Sequence, residues 1–252
     1  MALHLVPALR WKHLLQPMIN LNLRSYQKEL LDLDNIPFAD IRQNMKELNM
    51  VNRYLGGHKI TISGIKKLMP KLTAGKPVTI CEIGCGGGDN LNAIEEYYRK
   101  KNIPLSFIGI DIKPECISFA KEQYPTLNAE WITSDYKKVV FHENKPDIIF
   151  SSLFCHHFTD EELKGMMLWM SMNASKGFLI NDLHRNPFAY YSIKWITGLF
   201  SKSYLVKNDA PLSVARGFIK KEWKNIFKAA GITHVSIHWK WAFRHLIIHK
   251  ND

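Results

Sequence analysis

At 252 residues the chain is long enough for one α/β domain with additions, and a hydrophobic content of 46% supports a full core. No run of about eighteen apolar residues occurs, so no transmembrane helix is expected. The net charge of +11 is uneven: residues 185–252 hold 12 Lys and Arg against 3 Asp and Glu, whereas the first 184 residues are nearly balanced. A basic last quarter suits a solvated lysine-rich surface, and beyond that an acidic substrate, a membrane surface or nucleic acid.

In chain order, residues 1–23 carry Leu3, Leu5, Val6, Leu9, Trp11 and Leu14, a spacing open to an amphipathic helix; Met18 is an equally good start. Pro7, Arg10 and Lys12 interrupt the apolar run and no small-residue cleavage site follows, so a signal peptide is not expected. Residues 25–72 read as helical, broken at Pro37. The second part, about 39–54, sets Ile41, Met45 and Leu48 at helical spacing and stops at Gly56-Gly57. A turn over 73–76 separates this N-terminal helical cap (1–75) from the main domain (76–252). Cys81, Cys85, Cys116 and Cys155 form no C-x-x-C pair, which predicts reduced thiols in a cytoplasmic protein.

The stretch Val-Thr-Ile-Cys-Glu-Ile-Gly-Cys-Gly-Gly-Gly-Asp-Asn-Leu (78–91) organises the main domain. A short β-rich run leads into Gly84, Gly86, Gly87 and Gly88, and a helical pattern follows to about Lys101. Strand, glycine turn and helix make the first half of a nucleotide-binding unit. A dinucleotide fingerprint spaces its glycines G-x-G-x-x-G. Here the third glycine comes one residue early, and Glu82 sits two residues before the first. An acid there repels a pyrophosphate and suits a cationic amino-acid group. Two further apolar runs also end in acids, at Asp111 and Asp135. Asp111 lies 23 residues past Gly88, where a second strand delivers a carboxylate to ribose hydroxyls.

This pattern resembles motif I and its sequel in the class I S-adenosylmethionine (SAM) methyltransferases, over roughly residues 77–249, and within them bacterial enzymes of aromatic and polyketide-like small molecules. The resemblance implies a Rossmann-like seven-stranded sheet of order 3-2-1-4-5-7-6 with the last strand antiparallel, and SAM as cofactor with S-adenosylhomocysteine as product. It places Glu82, Gly84, Gly86, Gly88, Asp111, Ile112 and Ser151 around the cofactor, with Asp135 near the adenine amino group and Tyr136 near the ring. The phrase Val-Asn-Arg-Tyr-Leu-Gly-Gly-His (51–58) resembles the segment preceding motif I in that group. It implies that Arg53 or His58 touches the SAM carboxylate; ordinary surface groups on a capping helix are the alternative.

A helix is expected over 114–123, a fourth strand over 147–152, a capping box at Thr159 and Glu162 opening a helix to about Met172, and a fifth strand over 177–183. Residues 186–221 then interrupt the alternation with Phe188, Tyr190, Tyr191, Trp195, Ile196, Leu199, Phe200 and Tyr204. Two inserted helices forming a lid over an apolar acceptor are expected, with Trp195, Ile196, Leu199 and Phe200 toward the pocket and Lys194, Lys202 and Lys207 at its rim. An amphipathic helix to Ala230 and a closing pair of strands (232–239 and 241–248) complete the chain.

Candidate chemistry falls in the loop after the fourth strand, Leu-Phe-Cys-His-His-Phe (153–158), and at Asp182 on the fifth. Ligands of open α/β sheets bind at these strand ends. Methyl transfer to a hydroxyl needs alignment of acceptor and methyl, plus a base. His156 or His157, oriented by Asp182, is suited to that. Adjacent Cys155, His156 and His157 do not turn easily to one ion, no outlying ligand is apparent, and Ser151-Ser152 stand where metal-dependent relatives carry an aspartate, so no metal is expected. Tyr190 and Lys194 match Y-x-x-x-K by chance. The reading is O-methylation of a small, largely apolar acceptor, with or without an acidic group. The alternatives are carbon methylation of a quinone or lipid, an RNA-modifying enzyme, and a SAM-binding protein without catalysis. Nucleic acid is disfavoured as partner, because neither N-P-P-[YF] nor a Pro-Cys nucleophile occurs. Peripheral membrane contact and a homodimer remain open.

Overall fold

A seven-stranded sheet of order β3-β2-β1-β4-β5-β7-β6 forms the centre of the computed structural model, which describes residues 19–33, 36–69 and 77–251. The strands are β1 (Val78–Ile83), β2 (Leu105–Asp111), β3 (Ala129–Thr133), β4 (Ile148–Ser152), β5 (Gly177–Leu183), β6 (Val235–Lys240) and β7 (Arg244–Lys250). The first five run parallel and β7 pairs antiparallel with both β5 and β6. This is the order expected from the sequence. The N-terminal helix and turn expected within 1–18 and 73–76 lie outside the described residues.

Alternation along the strands sends side chains into two layers. Ile149, Phe178 and Ile180 pack with Leu163, Met166 and Met170 of α5 (Asp160–Asn173) and with Trp223 and Phe227 of α8 (Lys220–Ala229). Ile148, Phe150 and Leu179 face the other way, onto Ile65 and Leu68 of α2 (Gly57–Leu68) and Leu91 and Ile94 of α3 (Asp89–Arg99). Helix α1 (Phe38–Tyr54) lays Ile41 and Met45 against Cys116 and Phe119 of α4 (Pro114–Gln123). Thr159 and Glu162 close the expected capping box on α5. All four cysteines are free and buried.

The lid expected over 186–221 is built from α6 (Pro187–Phe200) and α7 (Tyr204–Arg216). Asn186 starts α6 by accepting the amides of Phe188 and Ala189, and Pro187 at the first helical position has no amide to lose. The lid is tied to α1 by buried Glu47, which accepts from the amides of Lys202 and Ser203.

Two expectations need correction. The closing strands begin and end a few residues later, with their turn at residues 241–243. Residues 25–29 are not helical but extended, followed by a single 3-10 turn at Leu30–Asp32. The cause is long-range: side chains of the lid take the backbone groups that a helix would have paired. Asp209 of α7 accepts from the amides of Leu30 and Leu31 at 2.8 and 2.9 Å. Arg216 donates to the Gln27 carbonyl at 2.6 Å, and Arg24 donates back to the Arg216 carbonyl at 2.9 Å. The segment is a strap laid across the site.

Candidate active site

A mostly apolar cavity of about 690 Å³ opens at the C-terminal ends of β1, β2 and β4. Its two ends differ in construction. One is made by the turn after β1 and the acids that follow the strands. Gly84 and Gly88 adopt left-handed φ of +66° and +76°. A Cβ on Gly84 would lie 2.2 Å from the Phe154 ring and one on Gly88 2.5 Å from Trp131, so only glycine fits either turn position. Gly84, Gly86, Glu82, Asp111, Ile112, Asp135 and Tyr136 all line the cavity. Gly88 does not; it caps α3 and makes room for Trp131. Asp111 is fixed by the amides of Gly86 and Lys113, each at 2.9 Å. Asp135 accepts from the Lys137 amide at 3.0 Å. Tyr136 is buried edge-on to Phe154, Phe158 and Trp169.

Two buried groups of opposite charge on this wall lack a partner among the described residues. Glu82 accepts from Asn90 at 2.9 Å through one oxygen, and Oε2 has no donor. Burial, with Asp89 and Asp111 nearby, pushes the Glu82 carboxyl well up from its ordinary value. Arg244, at the start of β7, donates Nη2 to Asn52 at 2.9 Å, while Nη1 is unpaired. Burial draws the Arg244 guanidinium down to about 10. A carboxyl and a guanidinium that each keep one unpaired atom in this lining fit the zwitterionic end of an amino acid, whose ammonium favours the ionised carboxylate and whose carboxylate pairs the guanidinium. Arg244 was not foreseen from the sequence; a charged residue shortly before the apolar run Leu246, Ile247 and Ile248 was the available signal. Arg53 is exposed and does not line the cavity. His58 is outside the lining too, bonded to Asp89 at 2.7 Å. Ser151 lies beneath the surface against Cys155, and its neighbour Ser152 lines the cavity instead.

The other end is assembled from the loop after β4, the strap and the lid. Asp182, fully buried on β5, accepts from the amides of Phe154, Cys155 and Leu183 and from His156 Nδ1 at 2.8 Å. Four donors fix this loop, including Leu153 in a left-handed conformation at φ 54°. Both histidines line the cavity, and Glu29 of the strap reaches both. Its carboxylate is 3.5 Å from His156 Nε2 and 3.9 Å from His157 Nε2. Ser213 of α7 donates to Glu29 at 2.8 Å. His157 Nδ1 is held at 2.8 Å not by Asp182 but by Asp32. Glu29 and Asp32 went unnoticed in the sequence because the strap has no periodicity and lies over 120 positions from the histidines.

The two rings differ in their partners. His156 faces a carboxylate at each nitrogen, and carboxylates only accept, so both nitrogens donate. Burial alone would lower its pKa; Asp182 and Glu29 outweigh burial and lift it to about 9. Against the same opposition from burial, the histidines hold Glu29 and Asp182 below the usual carboxylate range, and Asp32 falls to about 2. His157 Nδ1 donates to Asp32, and its Nε2 is turned toward Glu29. Glu29 is thus the outlying group that the sequence did not reveal, with one ligand atom each from Glu29, His156 and His157 all within 4.8 Å of one another. The expectation of no metal rested on the lack of such an outlying ligand, and these three groups could hold a metal ion.

The lid lines the cavity with Phe188, Ile193 and Ile196 of α6 and Val206 and Val214 of α7, and the β6–β7 turn adds Trp241 and Phe243. Of the side chains expected to face the pocket, Trp195, Leu199 and Phe200 point outward, with exposures of 75%, 63% and 79%.

Comparison with known proteins agrees with this layout. Residues 80–172 match the family described as methyltransferase domain. Phosphoethanolamine N-methyltransferase 3 of Arabidopsis thaliana is 28% identical over 112 residues, 43% of this chain; the chain spans 21% of that protein's length. The plantazolicin methyltransferase BpumL, solved with S-adenosylhomocysteine, superposes with a TM-score of 0.61 at 18% identity, covering 85% of this chain and 89% of that one. Human N-acetylserotonin methyltransferase, solved with SAM, gives 0.59 at 15% identity over 85% of this chain and 56% of that one. Residues 80–172 thus match a methyltransferase domain, and the chain has the fold of methyltransferases solved with SAM or S-adenosylhomocysteine. The unpaired Glu82 and Arg244 fit the amino-acid end of SAM.

Proposed function

We propose that the protein transfers the methyl group of SAM to a hydroxyl oxygen of a small, largely apolar acceptor of the aromatic or polyketide-like kind, with His157 as general base. SAM supplies a methyl activated by its sulfonium. Glu82 and Arg244 hold its amino-acid end, Asp111 its ribose hydroxyls and Asp135 its adenine. The apolar lid excludes water and aligns the acceptor, an effect worth up to roughly 7–11 kcal/mol in favourable cases.

The observation that carries this reading is the Asp32–His157 pair, with His157 lining the cavity beside Glu29. Asp32 sets the tautomer, and the surrounding carboxylates favour the imidazolium that forms when His157 takes the acceptor's proton. His156, already a double donor, positions Glu29 and the loop and is not the base. A mostly apolar cavity of this size suits a small ring system better than an RNA strand. A phenolate formed here is also nucleophilic at its ring carbons, so carbon methylation of a quinol or phenolic lipid is the second reading, separated from the first by NMR of the product.

His157→Ala should lower kcat by about 10²–10⁴-fold while SAM affinity, measured by calorimetry, holds. Asp32→Asn should lower kcat less and leave SAM affinity unchanged. Full turnover in His157→Ala would remove this residue from the mechanism.

A further inference from the structure

Helix α6 is apolar on two sides. Ala189, Ile193 and Ile196 line the cavity. Phe188, Tyr191, Trp195 and Leu199 recur at helical spacing on another face and are 68%, 63%, 75% and 63% exposed. A stripe of that spacing ordinarily marks the buried side of a helix, yet no described residue covers this one. The stripe continues into the β6–β7 turn. Phe188 meets Phe243 at 5.8 Å between ring centres, and Phe243 meets Trp239 and Trp241 at 6.0 and 6.3 Å. Trp239 and Trp241 are 52% and 66% exposed. Phe188 and Trp241 also line the cavity, so the exposed apolar face is continuous with its mouth.

Along this stretch of chain the charge has one sign. No acidic residue occurs from Arg185 to Asn208, and Lys194, Lys202 and Lys207 in that stretch are exposed. We propose that α6 and the β6–β7 turn dock on an anionic lipid surface, so that the acceptor enters the cavity from the bilayer. Tryptophan and tyrosine favour the water–lipid boundary, and lysines beside an apolar helix face add attraction to anionic headgroups. A second copy presenting the same face would set lysine against lysine and would close the cavity mouth. The inference rests on the reading of the acceptor as apolar.

The test floats the full chain, without SAM, on vesicles of phosphatidylglycerol with phosphatidylcholine, and on phosphatidylcholine alone. Binding should require the anionic lipid and weaken as salt is raised. The triple variant Tyr191→Ser, Trp195→Ser, Leu199→Ser should bind at least about tenfold more weakly, and Lys194→Gln about fivefold more weakly. None of these four side chains lines the cavity, so SAM affinity by calorimetry should stay unchanged. A chain lacking residues 1–17 should still bind. Three results would each overturn the inference: no binding of the native chain to anionic vesicles; undiminished binding of the triple variant; or a native dimer that the triple variant converts to monomer. The proposed reaction fails by a different readout, the loss of SAM binding or of product with a water-soluble phenol.

Discussion

The two ends of the cavity are built in different ways. The cofactor end is built mostly in chain order: a strand, a glycine turn and acids at the ends of successive strands, with Asn52 and Arg244 added from α1 and β7. Its geometry follows from the parallel sheet, because every strand end arrives at the same edge. The acceptor end is remote. His156 and His157 come from the loop after β4, Asp182 from β5, Glu29 and Asp32 from the strap, and Ser213, Asp209 and Arg216 from α7. No element there sets the geometry alone; mutual hydrogen bonds do. Perturbing the cofactor end should therefore change binding with little effect on the fold, while perturbing the acceptor end should change catalysis and stability together.

The largest stability effect is expected at Asp182. Asp182→Ala leaves His156 as a buried cation short of one carboxylate and frees two amides of the loop and that of Leu183. Breaking a buried ion pair from one side costs about 3–5 kcal/mol. Chemical denaturation should show a loss of that order; a loss under about 1 kcal/mol, the size of an ordinary surface change, would mean the loop is held by other means.

Arg244→Leu comes next and bears on the cofactor end. Losing a charged partner for the SAM carboxylate should weaken SAM binding by roughly tenfold to a hundredfold, since hydrogen bonds to charged groups contribute about 1.5–3 kcal/mol. The free protein should be no less stable, because the buried guanidinium is only half paired before the cofactor arrives. Calorimetry paired with thermal melting checks both halves; unchanged affinity would move the carboxylate elsewhere on the wall.

These two residues also mark how far the sequence could be read. Sheet order, Glu82, Asp111, Asp135 and the two lid helices were legible because each lies in a short pattern of fixed period or spacing. The identity of the carboxylate orienting each histidine was not. Asp182 holds His156 as expected, but His157 is held by Asp32, from a segment whose conformation is dictated by Asp209 and Arg216 on α7. Propensity has nothing to say about an extended strap paired by side chains. The lid shows the same limit. Its hydrophobicity is evident in the sequence, but a helix apolar on two sides does not declare which side faces inward.

A smaller, reversible perturbation of the acceptor end is available through pH. His156 has its pKa raised from 6.5 to about 9, so the stability it lends is present in full below about pH 6.5 and is lost as pH rises through 9. Asp32 is depressed from 3.8 to about 2, so its contribution is present above about pH 4 and disappears as pH falls through 2. Melting temperature against pH should show a plateau bounded by these two limbs. His156→Asn should flatten the alkaline limb alone; a limb of unchanged steepness would assign it to another group.

The smallest effect is expected at Arg53, and it sharpens the contrast between the two ends most directly. The resemblance of residues 51–58 to the segment before motif I placed Arg53 or His58 at the SAM carboxylate. Helix α1 does bring this segment over the cofactor end: Val51, Asn52 and Leu55 line the cavity. But at one hundred degrees per residue only part of a helix faces any one neighbour, and Arg53 lies on the solvent side. Asn52 is the contact instead, as the residue that anchors Arg244. Arg53→Ala should thus change SAM affinity by no more than about 0.5 kcal/mol, the range of exposed substitutions away from special features. Asn52→Ala, one position earlier, should weaken SAM binding severalfold by releasing Arg244. Calorimetry on the two variants side by side decides the matter. A loss of tenfold or more at Arg53 with none at Asn52 would return the carboxylate to the capping helix and leave Arg244 a purely structural group.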